Sequence, residues 1–330
     1  MRSRGPWLAT IALAGCAESP SYLRTAGIIG DREARLGWVL LVIASAVVVV
    51  IAVLVLAAVY RRRSEAGTTL VRSGAGVRWI VVGGVVVPAV ILLGVLFFST
   101  ATFAAVARPP SRQAVTVQVI GHRWWWEVRY AGDSVSNHFV TANELHIPVG
   151  RPVRLELATA DVIHSFWVPQ LAGKTDLIPG QRNVAWIEAD RPGRYWGHCG
   201  EYCGLQHANM MLTVVAESPA EFARWAQGQR QPARVSSEPP AQAGAAVFSR
   251  SACSLCHTVR GSEAGGALGP DLTHLASRGM IGAGLLPNTR GHLAGWVANP
   301  QALKPGVLMP AVPLSPTDLT ALLAYLESLH

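Results

Sequence analysis

Two uncharged apolar runs, residues 36–60 and 79–103, limit what this chain can fold into more than any other feature. The first is about 25 residues long, so as a helix it rises roughly 37 Å and crosses a hydrocarbon core of about 30 Å with some tilt. Arg61, Arg62, Arg63, Arg72 and Arg78 lie between the runs, and such a basic loop belongs on the cytoplasmic side. Both ends of the hairpin, and everything after residue 105, are therefore expected outside. Gly83, Gly84 and Pro88 interrupt the second run, where neighbouring helices are expected to restore lost backbone bonds, which implies a partner membrane subunit. Of 330 residues half are apolar and 15% charged, too few charges for a wholly soluble chain and too many residues for one domain. The net charge of +8 sits largely beside the apolar runs, which fits membrane flanks rather than nucleic-acid binding.

Arg2 and Arg4 precede a short apolar stretch over residues 7–14, and Leu13, Ala14 and Gly15 lead into Cys16. Residues 1–15 have the order of a lipoprotein-type signal peptide, with lipidation of Cys16 expected; the competing reading is an ordinary export signal with a fortuitous cysteine. The hairpin is assigned to residues 30–106. From residue 112 to 217 the pattern changes to short runs rich in Val, Trp, Tyr and Phe. Turn signals at Gly132 and Asp133, Pro148 to Gly150, and Pro179 and Gly180 divide them. Strands are expected at 116–120, 124–130, 144–147, 153–158, 165–168, 183–188 and 211–215, in an all-β Greek-key sandwich. A short helix near 219–226 and a Pro/Ser/Gln-rich linker complete residues 218–241, and a helical pattern occupies 242–330.

Between the last two expected strands, residues 198–210 read HCGEYCGLQHANM. Cys199 and Cys203 are four apart, so on a turn their sulfurs can lie between two metal ions, with His207 capping one. Met210 offers a weak axial thioether and Glu201 a backbone carbonyl. His164, at the start of an aromatic strand, is the best second imidazole. Soft ligands of these types suit two copper ions sharing two sulfurs, and a zinc site is the alternative. Further on, Cys253, Ser254, Leu255, Cys256 and His257 form CxxCH, the spacing of covalent haem c attachment with His257 as iron ligand. The remaining His122, His138, His146 and His330 have no partner at metal spacing and read as structural or solvated, His274 and His292 read as surface or core histidines, and His198 adjoins Cys199 but points away from it on strand alternation. Two electron carriers on one chain imply electron transfer.

HSFWVPQLAGKTDLIPG at 164–180, followed by HCGEYCGLQHANM, resembles subunit II of haem-copper cytochrome c oxidases from the hairpin through about residue 217. The resemblance implies a cupredoxin domain with a dinuclear copper A centre on His164, Cys199, Glu201, Cys203, His207 and Met210. It also implies a magnesium ion on the Glu201 side chain at the contact with subunit I. Trp124, in Gly-His-Arg-Trp-Trp-Trp over 121–126, matches the tryptophan through which electrons enter in that family; core filling is the competing role for these rings. The C-terminal segment resembles a small class I cytochrome c, which implies Met309 as the second iron ligand ahead of its rival Met280.

The expected molecule is thus multidomain: a transmembrane hairpin, an all-β cupredoxin and an all-α cytochrome c domain. The resemblance implies subunit II of a respiratory oxidase in the bacterial inner membrane, with both redox domains on the periplasmic face. Electrons would pass from haem c to copper A and on to haem in subunit I, where oxygen becomes water. Subunit III and an external donor, a cytochrome c or a quinol–cytochrome c reductase, are the other implied partners, and any proton pumping would belong to the whole complex. The alternatives are a copper A subunit of a nitric oxide reductase and a membrane-anchored copper chaperone. One departure stands out: Val77, Arg78 and Trp79 replace the glutamate-led opening of the family's second span, which puts proton uptake through this subunit in doubt.

Overall fold

The computed structural model describes residues 21–60, 75–107, 114–131 and 137–330. The signal segment, Cys16, the arginines at 61–63 and 72, and the turn at Gly132 and Asp133 lie outside the described residues. Helix α1 spans Ile28–Tyr60. The second apolar run forms α2 (Ala75–Val81), a π-helical turn (Val82–Val86) and α3 (Val87–Val106). Both spanning stretches are long and apolar enough to cross a membrane and leave their side chains largely exposed, as lipid-facing helices require. At Gly83, Gly84 and Pro88 the helix widens by one π turn and continues. Proline lacks an N–H, and the Val87 amide bonds back to the Val82 carbonyl, so the wider turn absorbs the shifted register.

Helix α1 begins before its apolar run because its first turns belong to the next domain. Ala26, Ile29 and Ala34 are buried there. The Ala26 amide bonds to the Gln170 carbonyl at 2.8 Å and the Ala26 carbonyl accepts from the Asp190 amide at 2.9 Å. A side chain at Gly27 would meet the Glu188 carbonyl, so only glycine lets the backbones approach. From the other helix, the Val106 carbonyl accepts from Trp186 Nε1 at 2.8 Å.

The sandwich has ten strands: β1 (Val115–His122), β2 (Trp125–Tyr130), β3 (Phe139–Ala142), β4 (Glu144–Pro148), β5 (Val153–Thr159), β6 (His164–Trp167), β7 (Thr175–Leu177), β8 (Asn183–Ile187), β9 (Gly193–Cys199) and β10 (Met211–Glu217). One sheet runs β3-β2-β1-β5-β8 and the other β4-β10-β9-β6-β7. β1 pairs parallel with β5 and β4 with β10, so the chain passes repeatedly from one sheet to the other instead of meandering within one. Val117 and Val119, Leu155 and Leu157, Leu145 and Ile147, and Leu212 and Val214 fill the space between the sheets. The seven expected strands are present; β3, β7 and β9 are additional. The metal-bearing loop accordingly runs from β9 to β10, not from the strand expected at 183–188.

Helix α4 (Pro219–Gln229) is closed by a Ser218–Glu221 capping box and covers the open end of the sandwich with Phe222 and Trp225. Beneath it Trp225 stacks on His146 at 4.0 Å, between Glu144 and Glu217. Burial opposes charge on this pair, but mutual contact outweighs it: Glu144 falls below its ordinary 4.5 and His146 rises above its ordinary 6.5. The lowered carboxylate stabilises the fold above 4.5 and loses that effect as pH drops through its folded value, while the raised imidazole stabilises below 6.5 and loses it as pH climbs through its own. The contribution of this pair is therefore greatest between pH 4.5 and 6.5, and in denaturant titrations His146→Gln should cost more stability at pH 6 than at pH 9; an equal loss at both would contradict this.

The C-terminal domain contains α5 (Pro239–Arg250), α6 (Cys253–Cys256), the short hairpin β11 (Met280–Ile281) and β12 (Leu286–Pro287), α7 (Arg290–Ala298), α8 (Pro300–Leu303) and α9 (Pro316–Leu326). Its core is the crossing of α5 and α9, where Val247 and Phe248 meet Leu322, Tyr325 and Leu326. Gly244 lies at the closest approach, against the Ala321 carbonyl.

Candidate metal centre

Three strand ends assemble the centre. β9 delivers Cys199, the loop after it carries Glu201 and Cys203, a 3₁₀ turn presents His207, Met210 precedes β10, and β6 opens on His164. The loop is pinned by the Cys199 amide on the Met210 carbonyl at 3.0 Å and the Gly200 amide on the Ser165 carbonyl at 2.8 Å. Gly204, at φ +113°, allows the reversal that turns Cys203 inward.

The two sulfurs are 3.7 Å apart, free and buried, with 6% and 4% of Cys199 and Cys203 exposed. His164 Nδ1 lies 3.8 Å from Cys199 Sγ and His207 Nδ1 3.7 Å from Cys203 Sγ. Met210 Sδ lies 3.8 Å from Cys203 Sγ and the Glu201 carbonyl oxygen 3.1 Å from Cys199 Sγ. All six sequence-expected donors converge here. Each sulfur has one imidazole, one has the thioether and the other the carbonyl. The Glu201 carboxylate turns outward, 2.8 Å from Lys174 Nζ.

Hydrogen bonding to the Cys203 thiol and to His164 holds the Cys199 thiol well below the ordinary thiol range, and the same bond, with burial and the charge on Cys199, pushes Cys203 up. A cation between the sulfurs would remove that opposition and hold both as thiolates. Burial lowers His164, but Asp161 and Cys199 more than compensate and raise it. His164 Nε2 faces Asp161 Oδ1 at 2.8 Å, which leaves Nδ1 toward the sulfurs. The Asp161 carboxylate also accepts from the Val162 and Arg123 amides at 2.7 Å, and despite partial burial these bonds hold its pKa at about 2. Sequence reasoning missed Asp161 as the partner of His164, although its place three residues earlier was a usable signal. Replacing it by Asn should weaken copper binding about 10–100-fold, measured by competition with a chelator, because the ring loses its orienting anion.

The three tryptophans divide by role. Trp126 is fully buried in the core, Trp125 stacks on His122 at 4.2 Å, and Trp124 lies over the copper loop. Trp124 Nε1 donates to the Cys203 carbonyl at 3.0 Å. His198 alternates away from Cys199 on β9, as its strand position implies.

In the C-terminal domain α6 presents Cys253 and Cys256 as free thiols, followed by His257. His257 Nδ1 meets the Pro270 carbonyl at 2.7 Å, which fixes the ring and leaves Nε2 for a ligand. A side chain at Gly269 would lie 2.6 Å from the His257 ring, so glycine is required for the close approach. Met309 is half-buried at the end of a loop braced by Gln301, whose Nε2 donates to the carbonyls of Val307 and Met309 at 2.7 and 2.8 Å. His274 and His292 are held by the carbonyls of Gln231 and Pro287, in structural roles.

Residues 133–217 match the family "Cytochrome C oxidase subunit II, periplasmic domain", and residues 241–330 match "Cytochrome c". The chain is 40% identical over 235 residues to cytochrome c oxidase subunit 2 of Alkalihalophilus pseudofirmus, covering 70% of this chain and 67% of that one. It is 31% identical over 232 residues to the protein of that name from Bacillus sp. strain PS3, covering 66% and 63%. The chain thus spans about two thirds of the length of these relatives. The periplasmic domain of subunit II of cytochrome oxidase from Bradyrhizobium japonicum aligns with 37% of the chain and 97% of its own length, at 29% identity and a TM-score of 0.34. With the donor cage, the CxxCH site and the identity to the A. pseudofirmus protein taken together, the chain belongs to the cytochrome c oxidase subunit 2 family and carries a C-terminal cytochrome c domain.

Proposed function

We propose that this chain is the electron-accepting subunit of a respiratory cytochrome c oxidase in a bacterial inner membrane, with both redox domains on the periplasmic side. The observation that carries the reading is the pair of free, buried sulfurs 3.7 Å apart, flanked by two imidazoles, a thioether and a carbonyl. That donor set suits dinuclear copper A, held by His164, Cys199, Glu201, Cys203, His207 and Met210. Cys253 and Cys256 would bind haem c covalently, with His257 and Met309 on the iron. The two groups supply reversible one-electron chemistry, and oxygen reduction belongs to a subunit I partner. The chain's own residues set ligation and burial: Asp161 orients His164, Pro270 orients His257, and Trp124 links the copper loop to its outer face. A copper chaperone has to release its ion, whereas these sulfurs are enclosed and the haem domain covers Trp124.

The Glu201 carboxylate, exposed and paired with Lys174, is free to exchange that partner for magnesium once subunit I covers the surface. A cytochrome c or a quinol–cytochrome c reductase is the proposed donor to the haem domain, and acylation of Cys16 would add a second anchor. Electron paramagnetic resonance of the copper-loaded full chain tests the central claim. One electron shared by two equivalent copper nuclei gives seven hyperfine lines, and a four-line spectrum, or zinc at the site, would defeat it.

A further inference from the structure

The junction between the copper and haem domains contains the lysine that opens the Lys-Pro-Gly-Val-Leu-Met-Pro run of residues 304–310. Lys304 is 1% exposed. Its Nζ donates to the Trp124 carbonyl at 2.9 Å, the Asn209 carbonyl at 2.7 Å and the Gly282 carbonyl at 2.8 Å. Three N–H donors thus meet three acceptors from three separate segments: the β1–β2 connection, the residue before Met210, and the haem-domain hairpin. Among the described residues its ammonium pairs with these carbonyls and with no carboxylate. Burial pushes its pKa down to about 7, while the carbonyl dipoles favour the charged form that keeps all three donors. An ammonium buried without such bonds costs several kcal/mol, so an apolar residue would close a merely adhesive junction more cheaply. What the lysine adds is register, because its three bonds are satisfied in one docking only.

The segment that Lys304 begins is the loop ending at Met309. Next to it, the Pro305 carbonyl accepts from Gln206 Nε2 of the copper loop at 2.9 Å. Gly306, at φ +87°, lies against the Trp124 ring, 3.4 Å from it when a Cβ is added. The same ring donates to the Cys203 carbonyl on its other side. The Met211 amide bonds to the Ala283 carbonyl at 3.0 Å and the Gly279 amide to Glu144 Oε1 at 2.8 Å, so the contact continues on both flanks of the lysine.

We propose that Lys304 is a positioning residue that clamps the methionine-bearing loop of the haem domain onto Trp124 and the copper loop, fixing the separation across which the two domains exchange electrons. This rests on the functional reading above. It matters because electron-transfer rates fall roughly exponentially with distance, so a junction that fluctuates by a few ångströms passes current poorly.

The test compares wild type with Lys304→Met and Lys304→Arg in the detergent-solubilised, copper- and haem-loaded full chain. Hydrogen exchange at peptides covering 203–211, 279–286 and 304–309 reads the docking directly, and flash-induced transfer from haem to copper reads its consequence. In Lys304→Met both should change, with exchange at the junction about tenfold faster and transfer about tenfold slower. The haem absorption, the copper hyperfine pattern and the protection of the 322–329 core should stay as in wild type. Lys304→Arg keeps the charge but misplaces the donors, and should give the same pattern at smaller size. Wild-type exchange and transfer in a variant that retains its haem-domain core would overturn the proposal. Loss of that core in both variants would also overturn it, by showing that the lysine holds the domain rather than the junction. Failure of the wild type to pass electrons from haem to copper would remove the underlying functional reading, and the exchange data would still report separately on the clamp.

Discussion

Replacing Cys203 with serine should abolish the dinuclear copper signal of the proposed centre and stop electron transfer from haem to copper, while the haem is still reduced and the sandwich remains folded. Cys203 touches three other donors of the cage, 3.7 Å from the Cys199 sulfur, 3.7 Å from His207 Nδ1 and 3.8 Å from Met210 Sδ. A hydroxyl is a hard, protonated ligand at neutral pH, and soft copper sites depend on thiolate. The loss should exceed the roughly 10–100-fold that an outer-shell change such as Asp161→Asn produces. Serine is close in size to cysteine, and a buried hydroxyl with imperfect bonding costs about 1–3 kcal/mol, less than the 5–15 kcal/mol typical of a domain. Copper content, hyperfine spectrum and circular dichroism measured on one preparation decide the matter. A surviving seven-line spectrum would show that the sulfurs are not the bridge.

The second large effect is on stability. Gly244→Val should unfold the haem domain at temperatures where the copper domain is intact. Glycine inside a helix normally costs about 1 kcal/mol relative to alanine, so Gly→Ala at an open helical position stabilises. At Gly244 the sign should reverse, because a Cβ would run into the Ala321 carbonyl and crowd the Tyr325 side chain. Neither α5 nor α9 can yield without opening the packing of Val247, Phe248, Leu322 and Leu326. Overpacking of about 3 kcal/mol, at the upper end of the usual range, lowers the melting temperature of a domain of this size by about 12–24 °C. Gly244→Ala should destabilise less, in the same direction. Haem absorbance against temperature reads the effect, and a rise in melting temperature for Gly244→Ala would refute the close-approach argument.

Most of the candidate site was legible because its donors are local in sequence: Cys199 to Met210 lie within one loop, and CxxCH is a single helical turn. The hairpin was legible because lipid allows few alternatives to long apolar helices. What escaped were features whose signal is spread through space. Strand β7 has only three residues and β9 contains two glycines, so neither shows a clean alternation, and both form because neighbouring strands supply their partners. The polar network of Glu144, His146 and Glu217 joins residues far apart in the chain. His146 resembles a solvated histidine until Trp225 covers it. Lys304 stands in the sequence only as the first residue of the run leading to Met309, and docking of the two domains is what brings its three carbonyls together.

The buried contact of Ala26 with Gln170 and Asp190 carries a consequence for biosynthesis. The sandwich draws residues from both flanks of the hairpin, about ninety positions apart in the order in which a ribosome makes them. Ala26 can take its place in that core only once both helices have been inserted and both flanks lie on the same side. Assembly then acquires a built-in order: insertion of the hairpin comes first, and the contact of its leading flank with Gln170 and Asp190 comes last.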